Sequence, residues 1–209
     1  MAYDDEEQLE AIKRWWRDNG RFVIIAVVSA LVLLVGWQQW NSWQARQAAA
    51  ASSEYSAVLT ALDAGDLQGA GNRLQSLRES RGGSPHAALA SFALAASQIA
   101  QGEPQAAAET LGWVVSEQPA SPMADIARLR QAEALAAAGD DAGALQLLEP
   151  PAAGALSARY YELRGDLELA LGNREAAINA YQEALKGMAG QRRALVEVKL
   201  FDLGGSPAS

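Results

Sequence analysis

The stretch LGNREAAINAYQEAL, residues 171–185, decides how the rest of the chain reads. Ala177, Tyr181 and Ala184 follow one another at four- and three-residue steps, which places them on one face of a helix. Gly172 stands just ahead of that helix, where glycine can take the positive φ of a preceding helix end, and Asn173 is suited to cap the next one. Gly165 lies seven residues before Gly172. The same punctuation recurs upstream in Ala64-Gly65-Asp66, Gln101-Gly102-Glu103 and Ala138-Gly139-Asp140. Successive glycines are 37, 37 and 33 residues apart, the period of a helical-hairpin repeat.

This last unit, from Gly165 through Gly172, Ala177 and Tyr181 to Ala184, resembles the tetratricopeptide repeat. In that pattern small residues at Gly165, Ala177 and Ala184 let two helices approach closely, and the aromatic Tyr181 fills the space toward the next repeat. Earlier units carry a sparser version: Ala132, Ala144 and Leu148 in one, Ala95, Ala107 and Leu111 in another, Ala70 and Leu74 in the first. Beyond Trp43 the chain is rich in Ala, Leu, Gln and Glu, with no period-two alternation, so it reads as helix throughout. Ser84-Pro85 and Ser121-Pro122 place a capping hydroxyl before a proline fitted to a first helical turn. Pro151 predicts that the second helix of the third unit ends near Glu149. The expected fold is all-α: four hairpins stacked as a solenoid over residues 44–203, closed by a capping helix from about Arg192 to Leu203. Leu195, Val198 and Val196 are expected to seal the open end. Residues 204–209 read as a flexible tail.

The N-terminal part is of another kind. FVIIAVVSALVLLVGW, residues 22–37, has sixteen residues without a charge, and Gln38, Gln39 and Trp40 extend it to nineteen. The longer segment would rise roughly 28 Å, close to the hydrocarbon thickness of a bilayer. Trp15 and Trp16 on one side and Trp37, Trp40 and Trp43 on the other stand where indole rings favour a membrane interface. These features predict a transmembrane helix over 21–43. Lys13, Arg14, Arg17 and Arg21 precede the run, and only Arg46 follows it before Arg73, so residues 1–20 are expected in the cytoplasm and the C-terminal bulk outside. A cleaved signal peptide and a buried soluble helix are the alternative readings of the run. Within the leader, Asp4, Asp5, Glu6 and Glu7 and then Lys13, Arg14 and Arg17 complement the dipole of a short helix whose Leu9, Ile12 and Trp16 share a face. Asn19-Gly20 is expected to break that helix; a frayed tail is the alternative.

Composition bounds the chemistry. The formal charge of −8 argues against a nucleic-acid partner, which would need a clustered Lys/Arg face. The absence of cysteine excludes a disulfide frame, a thiolate metal site and a thiol nucleophile. The single histidine, His86, reads as a surface capping residue beside Pro85, and no metal set assembles around it. Asp140/Asp141 and Asp4/Asp5 read as helix-start carboxylates rather than acid/base pairs. No nucleophile motif or phosphate loop is found, so neither a cofactor nor an enzymatic activity is expected.

Stacked hairpins offer a concave surface built from each first helix. In tetratricopeptide register the residues facing it are Tyr55, Leu59, Phe92, Ile99, Leu129, Glu133, Arg159 and Glu162, although the apolar ones could equally pack inside the stack. The carboxylate-clamp type of repeat places asparagines where this chain has Leu59, Ala96, Glu133 and Asp166. A mostly apolar groove, suited to exposed hydrophobic segments of proteins, is expected instead.

DDEEQLEAIKRWWRDNG, the following span ending GWQQW and the downstream repeats together resemble the YfgM-like family of bacterial inner-membrane proteins. Where that family tends toward several glycines in its span, this chain has Gly36, with Ala26 and Ala30 as a small-residue pair. The resemblance implies a single-pass inner-membrane protein, exposed to the periplasm, that serves as an ancillary subunit of the SecYEG translocon. Its implied partners are the translocon, a membrane-anchored prolyl-isomerase-like periplasmic chaperone, newly exported client proteins and the lipid bilayer. A membrane-anchored scaffold for another envelope complex is the alternative.

Overall fold

The computed structural model describes residues 2–149, 151 and 154–206, with backbone alone for 2–12, 14, 23, 26 and 27. The expected leader face of Leu9 and Ile12, the acidic side chains of 4–7, the Ala26 side chain and residues 207–209 lie outside it. Nine α-helices are found among the described residues: α1 Ala2–Asp63, α2 Leu67–Arg81, α3 Pro85–Ala100, α4 Pro104–Glu117, α5 Ala124–Ala137, α6 Asp141–Leu147, α7 Ser157–Ala170, α8 Arg174–Lys186 and α9 Gly190–Asp202. The chain divides into two compact units at Ala50/Ala51.

In the first unit, α1 runs through Asn19-Gly20 without the expected break. Asn19 Nδ2 donates back to the Trp15 carbonyl at 3.1 Å, and Gly20 lies under the Trp16 indole, where a Cβ would come within 3.2 Å of the ring. Both groups are satisfied inside the helix, so nothing drives a turn. The described apolar side chains from Phe22 to Trp43 are exposed. Among the described residues, however, no helix is long and apolar enough to cross a membrane. Sixteen uncharged residues rise only about 24 Å, short of the roughly 30 Å of a hydrocarbon core, and lengthening the run brings in Gln38 and Gln39. The expectation of a transmembrane helix over 21–43 is corrected. So is the single-pass inner-membrane placement built on it, with a cytoplasmic N-terminus and a periplasmic C-terminal domain.

In the second unit the all-helical solenoid of four hairpins is present. The end of α1 pairs with α2, α3 with α4, α5 with α6 and α7 with α8, and α9 covers α8. The four repeat glycines explain the regularity. Gly65, Gly102, Gly139 and Gly172 have φ between 75° and 87°, and at each the same two hydrogen bonds form. Gly102 N–H donates to the Ile99 carbonyl and Glu103 N–H to that of Gln98, the six-to-one closure that satisfies the last carbonyls of a helix. Asp66 and Asp140 then cap the next helix, accepting from Gly69 N–H at 2.7 Å and Gly143 N–H at 2.9 Å. Asn173 does not cap; its amide donates to Glu168 Oε2 instead.

Two further boundaries follow from proline. Ser84 caps α3 as the sequence predicts, accepting from Ala87 N–H, with Pro85 in the first turn. Ser121-Pro122 opens a turn in which Ser121 Oγ accepts from Met123 N–H, and α5 begins only at Ala124. The helix α6 stops at Leu147, close to the predicted end, and a short 3₁₀ turn, Gly154–Leu156, leads into α7.

The core is alanine-rich because helices at this spacing need small residues where they cross. Tyr160 and Tyr181 fill what the alanines leave open. Gly165 on α7 is required by Tyr181 on α8, since a Cβ at 165 would stand 2.5 Å from the phenol ring. Arg78 of α2 is half-buried against α3 and α4. It donates to Ser91 Oγ and the Thr110 carbonyl and lies 4.4 Å above the Trp113 ring, and burial lowers its pKa to about 10. Of the three residues expected to seal the end, Val196 of the closing helix α9 points inward and Leu195 and Val198 do not. Val196 and Leu200 are buried, whereas Leu195, Val198 and Phe201 are exposed, Phe201 at 79%. Arg193, which donates to the Leu185 carbonyl, and Lys199, which reaches Asp166, fix that rotation.

Candidate functional site

The surface formed by the first helices of the hairpins has two parts. Between α3 and α5 lies a groove of about 480 Å³. Phe92, Ala96 and Ile99 of α3 form one wall, Arg130, Glu133 and Ala137 of α5 the other, and Leu111 of α4 contributes to its base. Its size comes from its composition: Ala95, Ala96, Ala134 and Ala137 stand where longer side chains would fill the gap. Ile99 is 44% exposed at its edge and Phe92 is half-buried. Such an opening, apolar with a few charges at its margin, suits a large apolar side chain presented from outside.

From α5 to α9 the same surface becomes ionic. Arg130 donates to Glu133 at 2.7 Å, Arg159 bridges Glu133 and Glu162 at 2.8 Å each, and Arg192 reaches Glu162 at 2.8 Å. Lys199 joins from α9, 2.6 Å from Asp166 and 3.7 Å from Glu162. Glu162 is almost wholly buried, and its oxygens face three cations. Tyr181 donates its hydroxyl to Asp166 Oδ1 at 2.6 Å. Burial first, and then this bond to a carboxylate, push the Tyr181 phenol well above its ordinary pKa. Burial likewise raises Tyr160, with Arg128 pulling the other way through a hydrogen bond to the Tyr160 oxygen.

Of the eight residues expected on the concave surface, Phe92, Ile99 and Glu133 line the groove, and Glu133, Arg159 and Glu162 are joined in the ionic ladder. Tyr55 is half-buried against the first core cluster with its ring 5.9 Å from that of His86, so the histidine packs rather than caps. Leu59 is half-buried. Leu129 is only 4% exposed and belongs to the core between α5 and α7. Trp15, Trp16, Trp37, Trp40 and Trp43 are exposed on α1, with Trp40 and Trp43 tilted against each other at 5.5 Å. Arg130, Arg192 and Lys199 were not singled out by sequence; the only local signal was the three-residue spacing of Arg130 and Glu133 and of Arg159 and Glu162. Among the described residues no three of His, Cys, Asp or Glu come together as a metal site.

A family profile described as a tetratricopeptide repeat-like domain matches residues 13–205. The chain belongs to that family. Three relatives place this tetratricopeptide repeat-like protein more closely. An ancillary SecYEG translocon subunit of Aggregatibacter actinomycetemcomitans is 27% identical over 205 residues, covering 97% of this chain and 100% of the relative. A protein of the same name from Haemophilus influenzae is 24% identical over 205 residues, with the same coverage. A third, from Escherichia coli K12, is 27% identical over 185 residues, 88% of this chain and 89% of its own length. These relatives, with the family match, bear out the resemblance to the YfgM-like proteins.

Proposed function

We propose that this protein is a non-catalytic, protein-binding ancillary subunit of a SecYEG translocon, acting on newly exported chains together with a prolyl-isomerase-like chaperone. The observation that carries the proposal is the apolar groove between α3 and α5, open on the surface that stacked hairpins use to hold other polypeptides. Full-length similarity to three proteins named as ancillary translocon subunits supports the choice of partner. Apolar segments are what an exporting channel releases before folding, and a groove without a carboxylate clamp suits them. Co-purification of the full-length chain tests the reading. The translocon subunits and a prolyl-isomerase-like protein are expected in the eluate, identified by mass spectrometry; their consistent absence under conditions that keep the channel intact would remove the assignment.

A further inference from the structure

Resting on the protein-binding reading above, we propose that the α3/α5 groove selects segments in which a large apolar or aromatic side chain is accompanied, within a few residues, by an acidic one. The apolar half of this specificity follows from the lining of Phe92, Ala96, Ile99 and Leu111. The acidic half follows from charge. Along the ladder four cations, Arg130, Arg159, Arg192 and Lys199, share three carboxylates, Glu133, Glu162 and Asp166. The ladder therefore has one more cation than carboxylates, although the chain as a whole is at −8. Arg159 and Lys199 each reach two carboxylates, and Arg192 reaches Glu162. Arg130 is the terminal member on the groove side: its side chain is 59% exposed, its carboxylate is also claimed by Arg159, and it stands in the groove wall. A carboxylate arriving beside an inserted apolar side chain would give Arg130 a partner of its own through a charge-assisted hydrogen bond. An arriving lysine would meet the same excess as repulsion.

The test uses the full-length chain and fluorescein-labelled twelve-residue Gly/Ser/Asn peptides carrying one Phe, with Asp, Asn or Lys two residues away. Anisotropy titration should rank them Asp, Asn, Lys, with about tenfold between the first two at low salt, narrowing as salt is raised. Ala96→Phe, at an exposed position, fills the groove and should abolish binding of all three. Arg130→Gln should bring the Asp peptide down to the affinity of the Asn peptide, removing the preference, and Arg130→Glu should favour Lys. Equal binding of the Asp and Asn peptides, with Ala96→Phe still abolishing both, would overturn the acidic preference while leaving the groove as a protein-binding site. Absence of binding by any peptide would overturn both. A dimer of the chain that Ala96→Phe disrupts would also overturn the proposal, by assigning the groove to a second copy.

Discussion

The hairpin α3/α4 and the hairpin α7/α8 have the same backbone plan, the same glycine closure and the same stacking, yet they present opposite chemistry on the concave side. Where α3 offers Ala96, α5 has Glu133 and α7 has Asp166. The α3 position borders an opening lined by alanines; the α7 position is locked to Tyr181 and Lys199. The repeat thus sets where a side chain points, and residue type sets whether that point is used for cohesion or left for a partner. On this view the ionic region stabilises the C-terminal end of the stack, and the apolar region contributes little to stability and most to binding.

The largest effect should come from the ionic region. Glu162→Ala leaves Arg159, Arg192 and Lys199 around an empty, buried position. A loss on the order of 3 kcal/mol is expected in urea unfolding, because the charge-assisted hydrogen bonds that Arg159 and Arg192 donate to the buried carboxylate are lost together, at about 1.5 kcal/mol each. Gly165→Ala should follow at about 2 kcal/mol, since the new methyl group collides with the ring of the buried Tyr181. Tyr181→Phe should lose about 1 kcal/mol at neutral pH with the hydrogen bond to Asp166.

The same variant has a pH signature. Folding raises the Tyr181 pKa, so its contribution is complete below the ordinary tyrosine value of about 10 and is lost as pH rises beyond it. Unfolding free energy should fall with pH above about 10, and Tyr181→Phe should flatten that fall. Arg78, lowered to about 10 by burial, acts with the opposite sign above that pH, so the difference between wild type and variant is the quantity to compare. The smallest stability change belongs to the apolar region: Ile99→Ala, at an exposed position, should stay within about 0.5 kcal/mol of wild type while weakening binding of the Phe-bearing peptides. A large stability loss there, or none at Glu162, would break the contrast between the two regions.

Much of the fold was legible because the repeat is local. Each hairpin is closed by bonds between residues at most five apart, so a glycine followed by Asp, Glu or Asn announces the turn without knowledge of the rest. Pro151 similarly announced the early end of α6. What sequence could not supply was rotation and context. Helix α9 carries apolar residues on two faces, Leu195/Val198/Phe201 and Val196/Leu200, and only its side-chain bonds to α7 and α8 choose between them. Asn19-Gly20 reads as a break by composition, but Trp16 folding over the glycine and Asn19 bonding back keep α1 continuous. Leu129, for which repeat register left both the concave surface and the interior open, packs inside with Leu148, Tyr160 and Leu167.

Part of the groove lining was also legible. Phe92, Ile99 and Glu133 follow from repeat register alone. The ladder does not, because Arg159 reaches Glu133 across 26 residues, Arg192 reaches Glu162 across 30 and Lys199 reaches Asp166 across 33. The groove itself is made by alanines, and a small residue carries no sign in sequence that the space above it is open rather than filled.

The most direct measurement is photo-crosslinking in the cells that make the protein, with a photoreactive residue at Ala96 in the groove or at Lys186, exposed at the end of α8. Crosslinks from position 96 to translocon subunits or to exported chains, identified by mass spectrometry and weak or missing from position 186, are the predicted result. Equal capture from both positions, or translocon crosslinks from position 186 alone, would contradict the assignment of protein binding to the apolar half of the concave surface.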